Sequence, residues 1–335
     1  MLSFGVNIDT SSSFSLELRR IFFWGLLSLL LIFLGPTSVF APVPLVFIFL
    51  LYSKSKGMIT GVIGFSGLLI LSIIFNLTPL FSVVFLLSFV NAILIANTIF
   101  KGLSPDQGLV IAGTVFLIIV LVGVGSYLVV GPDFVKEELT RMLAGVIDQI
   151  KKENADFIAQ GGDEARKLQD LFKDPKNLVE IFLNWVCAGF FSILMFGHWL
   201  CLIIVLRSSL VWKKKRAYDF TIRHLISFKA PEFFVWPLIM ALCLVLVGEH
   251  VLGPVGTVLG MNCLYFLGVF YFFQGVGVYY DVLQMVGIRG GFRSLLVILA
   301  AFMAYRVLAI IGVFDQWINF RQRIKNFKKN KGDNL

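Results

Sequence analysis

Charge is what this chain has least of. Only 15% of its 335 residues are Asp, Glu, Lys or Arg, against 58% hydrophobic ones, and the mean hydropathy is +0.88. A globule surrounded by water carries far more charge, so the composition points to a membrane protein. Cysteine is scarce too. Cys187, Cys201, Cys243 and Cys263 all fall inside apolar stretches and form no CxxC pair. They read as small core hydrophobes, not as a disulfide framework or a thiolate metal site. There is no HExxH, no P-loop and no GxGxxG. Zinc hydrolysis, Walker-type nucleotide binding and dinucleotide binding therefore lack support, and neither an enzyme nor a cofactor is expected. The net charge of +9 fits cytoplasmic loops facing anionic lipid, with no nucleic-acid partner.

What the chain has is long apolar runs. Leu178 to Leu206 is almost wholly apolar and lands on Trp212, Lys213, Lys214, Lys215 and Arg216. A run of that length spans a bilayer as a helix, and the basic cluster after it resists translocation. Asp174 suits the N-cap of this helix and Pro175 its first position. Residues 131–177 are the one sizeable polar segment, with ten acids and eight bases. That lack of positive bias suits the outer face. Leu139, Met142, Leu143, Val146 and Ile150 keep helical spacing until Gly161-Gly162, which predicts a helical hairpin.

These readings predict an all-α, polytopic bundle of eight or nine spans, with an outer helical hairpin insert. Residues 1–20 form a cytoplasmic tail, 21–130 hold spans one to five, 131–177 are the insert and 178–207 the sixth span. Residues 208–231 form a basic cytoplasmic loop, 232–313 hold spans seven to nine, and 314–335 form a basic tail. The first span runs Ile21 to Leu34. The second, Leu45 to Tyr52, is too short to cross unless tilted or broken. Gly57 to Phe75, Leu80 to Phe100 and Gly108 to Val130 follow, the last entered through a capping box at Ser104-Pro105-Asp106-Gln107. Phe233 to Val247, Val255 to Met285 and Ser294 to Val313 complete the set. Trp317, Phe320, Ile324 and Phe327 fall on one stripe among lysines and arginines, the pattern of an interfacial helix attracted to anionic lipid. With the N-terminus inside, nine crossings place this tail outside, against the positive-inside tendency, and eight place it inside.

Polar groups inside a membrane are costly and carry the functional hypotheses. Asn91, His198, Gln274 and Arg306 are the candidate lining of a ligand site. Asp281 or Glu249 is the candidate partner for Arg306, with Asp281–Arg306 as a structural ion pair. The same groups also suit a hydrogen-bond set that only fixes packing. Gly64-Phe65-Ser66-Gly67 resembles the GxSG of rhomboid-like intramembrane serine proteases, which would pair Ser66 with His198 as nucleophile and base. Helix-packing glycines account for the same pattern.

The whole chain resembles the YybS-like family of predicted bacterial membrane proteins. The resemblance rests on Phe228-Lys229-Ala230-Pro231, Tyr271-Phe272-Phe273-Gln274-Gly275, Gly312-Val313-Phe314-Asp315 and Phe320-Arg321. It implies a multi-pass protein of the bacterial inner membrane and no established activity. More distantly, the first six spans resemble the substrate-binding components of energy-coupling factor transporters, through Gly35-Pro36, Pro42-Val43-Pro44-Leu45 and the glycine-rich third span. That likeness implies a small molecule held within the bundle. The AxxxA motif by which such components dock their partner is absent from the first helix, which reads Trp24-Gly25-Leu26-Leu27-Ser28-Leu29. Membrane lipids, a small-molecule ligand and other membrane proteins are thus the partners considered.

Overall fold

The computed structural model describes residues 10–76, 78–153 and 174–324, and among these it is all helix with no strand. In chain order the helices are α1 (Thr10–Phe33), α2 (Pro42–Leu51), α3 (Lys54–Ile74), α4 (Leu80–Phe100), α5 (Pro105–Val130) and α6 (Pro132–Glu153). Then come α7 (Pro175–Arg207), the short α8 (Ser209–Trp212) and α9 (Ile222–Ile226), α10 (Val235–Leu252), α11 (Pro254–Met285), α12 (Gly290–Met303) and α13 (Tyr305–Ile318). The start signals read from the sequence are present. The Asp174 carboxylate accepts from the backbone N–H groups of Lys176 and Asn177, and α7 begins at Pro175. Ser104 and Gln107 exchange their reciprocal bonds at the head of α5.

By length and composition, six helical segments among the described residues can cross a membrane: α3, α4, α5, α7, Glu232–Leu252 and α11. The pair α12 and α13 makes a seventh if counted as one. The sequence predicted eight or nine, and three segments account for the difference. The apolar stretch after Arg20 continues a helix that begins at Thr10 and carries Glu17, Arg19 and Arg20. Residues 10–20, expected as part of a tail, are thus helical, while residues 1–9 lie outside the described residues. Helix α2 has only 10 residues, about 15 Å of rise against a core of about 30 Å. The expected ninth span, Ser294 to Val313, is two helices of 14 residues each, bent by 100° at Ala304. Of the predicted hairpin insert, α6 is present, and residues 154–173 lie outside the described residues.

The chain divides into two compact units. One comprises Met1–Gly113, Met195–Ala230 and Tyr271–Leu335. At its centre is α2, in which Pro42 to Leu50 are all buried. Its C-terminal carbonyls are held by the basic cluster. Lys215 Nζ donates to Leu51 O at 2.9 Å and Arg216 Nε to Leu50 O at 3.2 Å. Cations at that end also oppose the helix dipole. The Arg216 guanidinium lies 4.7 Å from the centre of the Phe100 ring. The other unit comprises Thr114–Leu194 and Pro231–Phe270. There the Asn262 side chain accepts from Ala188 N and donates to Asn184 O. Gly248 and Gly256 bring α10 and α11 into backbone contact.

In the first unit α11 and α13 cross with the same closeness. A Cβ on Gly275 would overlap the Leu308 carbonyl, and one on Gly312 the Tyr271 carbonyl. Small residues at a crossing let two backbones touch, which is how membrane helices gain packing energy without a hydrophobic driving force. Gly275→Ala or Gly312→Ala is expected to lower stability by about 1–3 kcal/mol through overpacking. Gly67→Ala faces open space and should leave stability unchanged or slightly raised by its helix propensity. Thermal unfolding in detergent measures both.

Candidate functional site

Where α11, α13 and the start of the chain's last segment meet, four side chains form a polar junction in a greasy surround. Helix α11 presents Gln274, which is fully buried. Its Oε1 accepts from the backbone N–H of Ala230 at 2.9 Å, and its Nε2 donates to Asp315 Oδ2 on α13 at 2.9 Å. Helix α13 then stops. Asn319 adopts the left-handed conformation (φ +51°) and its N–H bonds back to Asp315 O. Asn tolerates that conformation better than most residues. Residues 320–324 return to helix, and the turn carries Arg321 back against α11. Arg321 Nη2 donates to Gln274 O and Nη1 to Ser227 O, both at 2.6 Å. The planar guanidinium reaches two carbonyls at once, which a lysine ammonium does not do. Gly277 makes room for it, since a Cβ there would strike both Ile226 O and the Arg321 guanidinium.

Arg321 Nε lies 3.9 Å from Asp315 Oδ2 and 4.0 Å from Asp281 Oδ2, beyond hydrogen-bond reach. Burial lowers the Arg321 pKa from its ordinary value, and the carboxylates of Asp315, Asp281 and Asp106 oppose that fall. Asp315 is 3% exposed. Its second oxygen, Oδ1, and Arg321 Nε are buried with no hydrogen-bond partner among the described residues. Beside them opens a cavity of about 280 Å³ lined by Lys229, Asp315, Asn319, Arg321 and Gln322.

The candidates from the sequence divide between two places in this unit. The first is a buried pair, with His198 Nδ1 2.7 Å from Asn91 Oδ1, joining α7 to α4. Gln274 belongs to the junction instead. The two are bridged by aromatic packing of the neighbouring residues, Trp199 stacked on Phe273 at 5.2 Å. Arg306 is exposed at the start of α13, its Nε donating to Tyr305 Oη at 3.0 Å. The partner found for Asp281 is Arg321. Ser66 is exposed on α3, while His198 is fully buried. Gly61 and Gly64 of that helix pack on the rings of Phe89 and Phe85, the packing role for glycine. Among the described residues no group of three His, Cys, Asp or Glu is placed to hold a metal.

Asp315 and Arg321 were not among the sequence candidates. Asp315 follows the predicted end of a span, and Arg321 reads as one of many bases in a lipid-facing tail. The signal lay in the motifs themselves. Ala230, Gln274, Asp315 and Arg321 come from four separate short motifs, and the structure joins all four. Arg321→Ala should cost about 3 kcal/mol or more, because Asp315 keeps its burial and loses its countercharge. Arg321→Lys should not restore the loss. Denaturation in detergent reads both.

No curated protein and no solved structure matches the chain. A family described as predicted membrane protein (DUF2232) matches residues 21–316. With most of its length matched and an all-helical structure of apolar spans, the chain belongs to the DUF2232 family of membrane proteins.

Proposed function

We propose that this protein binds a small solute or a lipid between its helices, in a transport-related role, and that the binding place is the cavity beside Asp315. One observation carries the reading. A carboxylate that is 3% exposed belongs to the wall of a cavity formed by polar and charged residues, and one of its oxygens is buried with no hydrogen-bond partner among the described residues. An unmet charged acceptor at such a place costs several kcal/mol. A polar guest removes that cost once the carboxylate turns toward the cavity. Gln274 then positions the carboxylate from behind, and Asn91–His198 holds α4 to α7.

The resemblance to YybS-like proteins and to the substrate-binding components of energy-coupling factor transporters agrees with this role. It also suggests the inner membrane of a bacterium, and the positive-inside tendency favours a cytoplasmic N-terminus and Trp212–Arg216 cluster. A non-catalytic scaffold is the competing reading. It is favoured by α6, where Phe134, Met142 and Val146 are more than half exposed on an amphipathic helix.

Native mass spectrometry of the purified protein separates the two. The ligand-binding reading predicts a copurified small molecule or lipid. Its retention should fall about tenfold in a Lys229→Ala, Gln322→Ala double variant, the loss of about 1.4 kcal/mol of polar contact. Retention equal to that of the wild-type chain would remove the cavity from the account.

A further inference from the structure

A second opening in this unit, between α1 and α3, has a chemistry of its own. We propose that it is a binding groove for one anionic phospholipid, with an acyl chain laid along its apolar lining and the headgroup held by Arg19. The groove shares no lining residue with the cavity beside Asp315, so this inference stands apart from the reading given for that cavity.

The groove has a volume of about 560 Å³, within the ordinary range of ligand sites. On α3 the lining residues stand at positions 56, 59, 60 and 63. That spacing of i, i+3, i+4 and i+7 puts them on one face of the helix. Two contacts set the distance between the walls. Lys56 Nζ donates to Glu17 Oε1 at 2.5 Å, from α3 to α1. Gly25 lets α1 approach Thr60, whose Cγ2 would lie 3.3 Å from a Cβ there. Leu18, Ile21, Phe22, Ile59 and Ile63 supply the apolar lining. Phe22 is 70% exposed and Ile63 66%, so the groove opens outward.

The charges sit at the start of both walls. Glu17 and Arg19 precede the apolar stretch of α1, and Lys56 lies in the first turn of α3, a helix long and apolar enough to cross a membrane. A phospholipid has the same polarity, a charged head followed by apolar chains. An apolar groove holds water poorly, and left empty it forfeits dispersion contacts. An acyl chain is as apolar as the lining, so the chain supplies fit and little selectivity. Selectivity comes from the charged end. Lys56 and Glu17 neutralise each other. Arg19 is exposed and has no ion-pair partner among the described residues, which leaves one positive charge at the mouth. A guanidinium takes a phosphate through two parallel N–H bonds. The uncompensated charge favours a headgroup that is negative overall above a neutral one.

The test is native mass spectrometry of the full chain in detergent, with phosphatidylglycerol and phosphatidylcholine of identical acyl chains as probes. Phosphatidylglycerol should be retained about fivefold better, the worth of one basic residue toward anionic lipid. Arg19→Gln should bring that ratio close to one. A Phe22→Ala, Ile63→Ala double variant should lose retention of both lipids and keep their ratio. Lys213→Gln removes a base outside the groove and should change neither. All four residues are exposed, so the substitutions leave the core untouched. Equal retention of the two lipids by the wild-type chain overturns the proposal. So does a ratio that falls as far in Lys213→Gln as in Arg19→Gln, which would mean diffuse attraction without a site. A wild-type dimer that the Phe22→Ala, Ile63→Ala variant dissociates, with lipid retention unchanged, also overturns it and makes this face a contact between copies. None of these results bears on the cavity beside Asp315, which the Lys229→Ala, Gln322→Ala variant tests.

Discussion

A single guanidinium closes the C-terminal part of this protein. Arg321 holds the carbonyls of Ser227 and Gln274 together, two residues 47 positions apart in the chain. Gln274 in turn carries Ala230 on one end of its amide and Asp315 on the other. The loop before α10, the middle of α11, the end of α13 and the segment after it are all tied through these few bonds. The two bonds of the Gln274 amide are buried, where little water competes and an unmade bond is correspondingly expensive.

The bonds exist only because the backbones come close. Gly275 and Gly312 permit α11 and α13 to touch, and Gly277 leaves space for the guanidinium. The bend at Ala304 is part of the same arrangement, since it lets α13 take a direction different from α12. Junction and cavity are then two sides of one feature. Gln274 is satisfied at both ends of its amide, while a carboxylate oxygen and a guanidinium N–H beside it stay buried with no hydrogen-bond partner among the described residues.

Much of this fold was legible in the sequence. Apolar length and cap residues gave α4 its limits and α7 its start at Pro175, and the short second segment was recognisably too brief to cross. The bend at Ala304 was not legible, because no proline or glycine marks it and hydropathy runs straight through. The candidate site was legible in part. Gln274 stood out as a polar residue in an apolar run and sits at the heart of the junction. Arg306 stood out for the same reason, yet it lies exposed beside Tyr305. The sequence pattern shows that a charge interrupts a helix but not which way that helix faces. Asp315 and Arg321 sit past the expected end of a span, where charge is ordinary. Only the left-handed turn at Asn319 brings Arg321 back inside, and that turn is a matter of tertiary contact.

The most direct measurement is a double-mutant cycle between Gln274→Leu and Asp315→Leu, read by unfolding free energies in detergent. The account predicts non-additivity of about 1 kcal/mol or more, because the two side chains share one buried bond and one network. Additive losses within about 0.3 kcal/mol would mean that the two residues act independently, and the junction would not be the feature that closes this part of the protein.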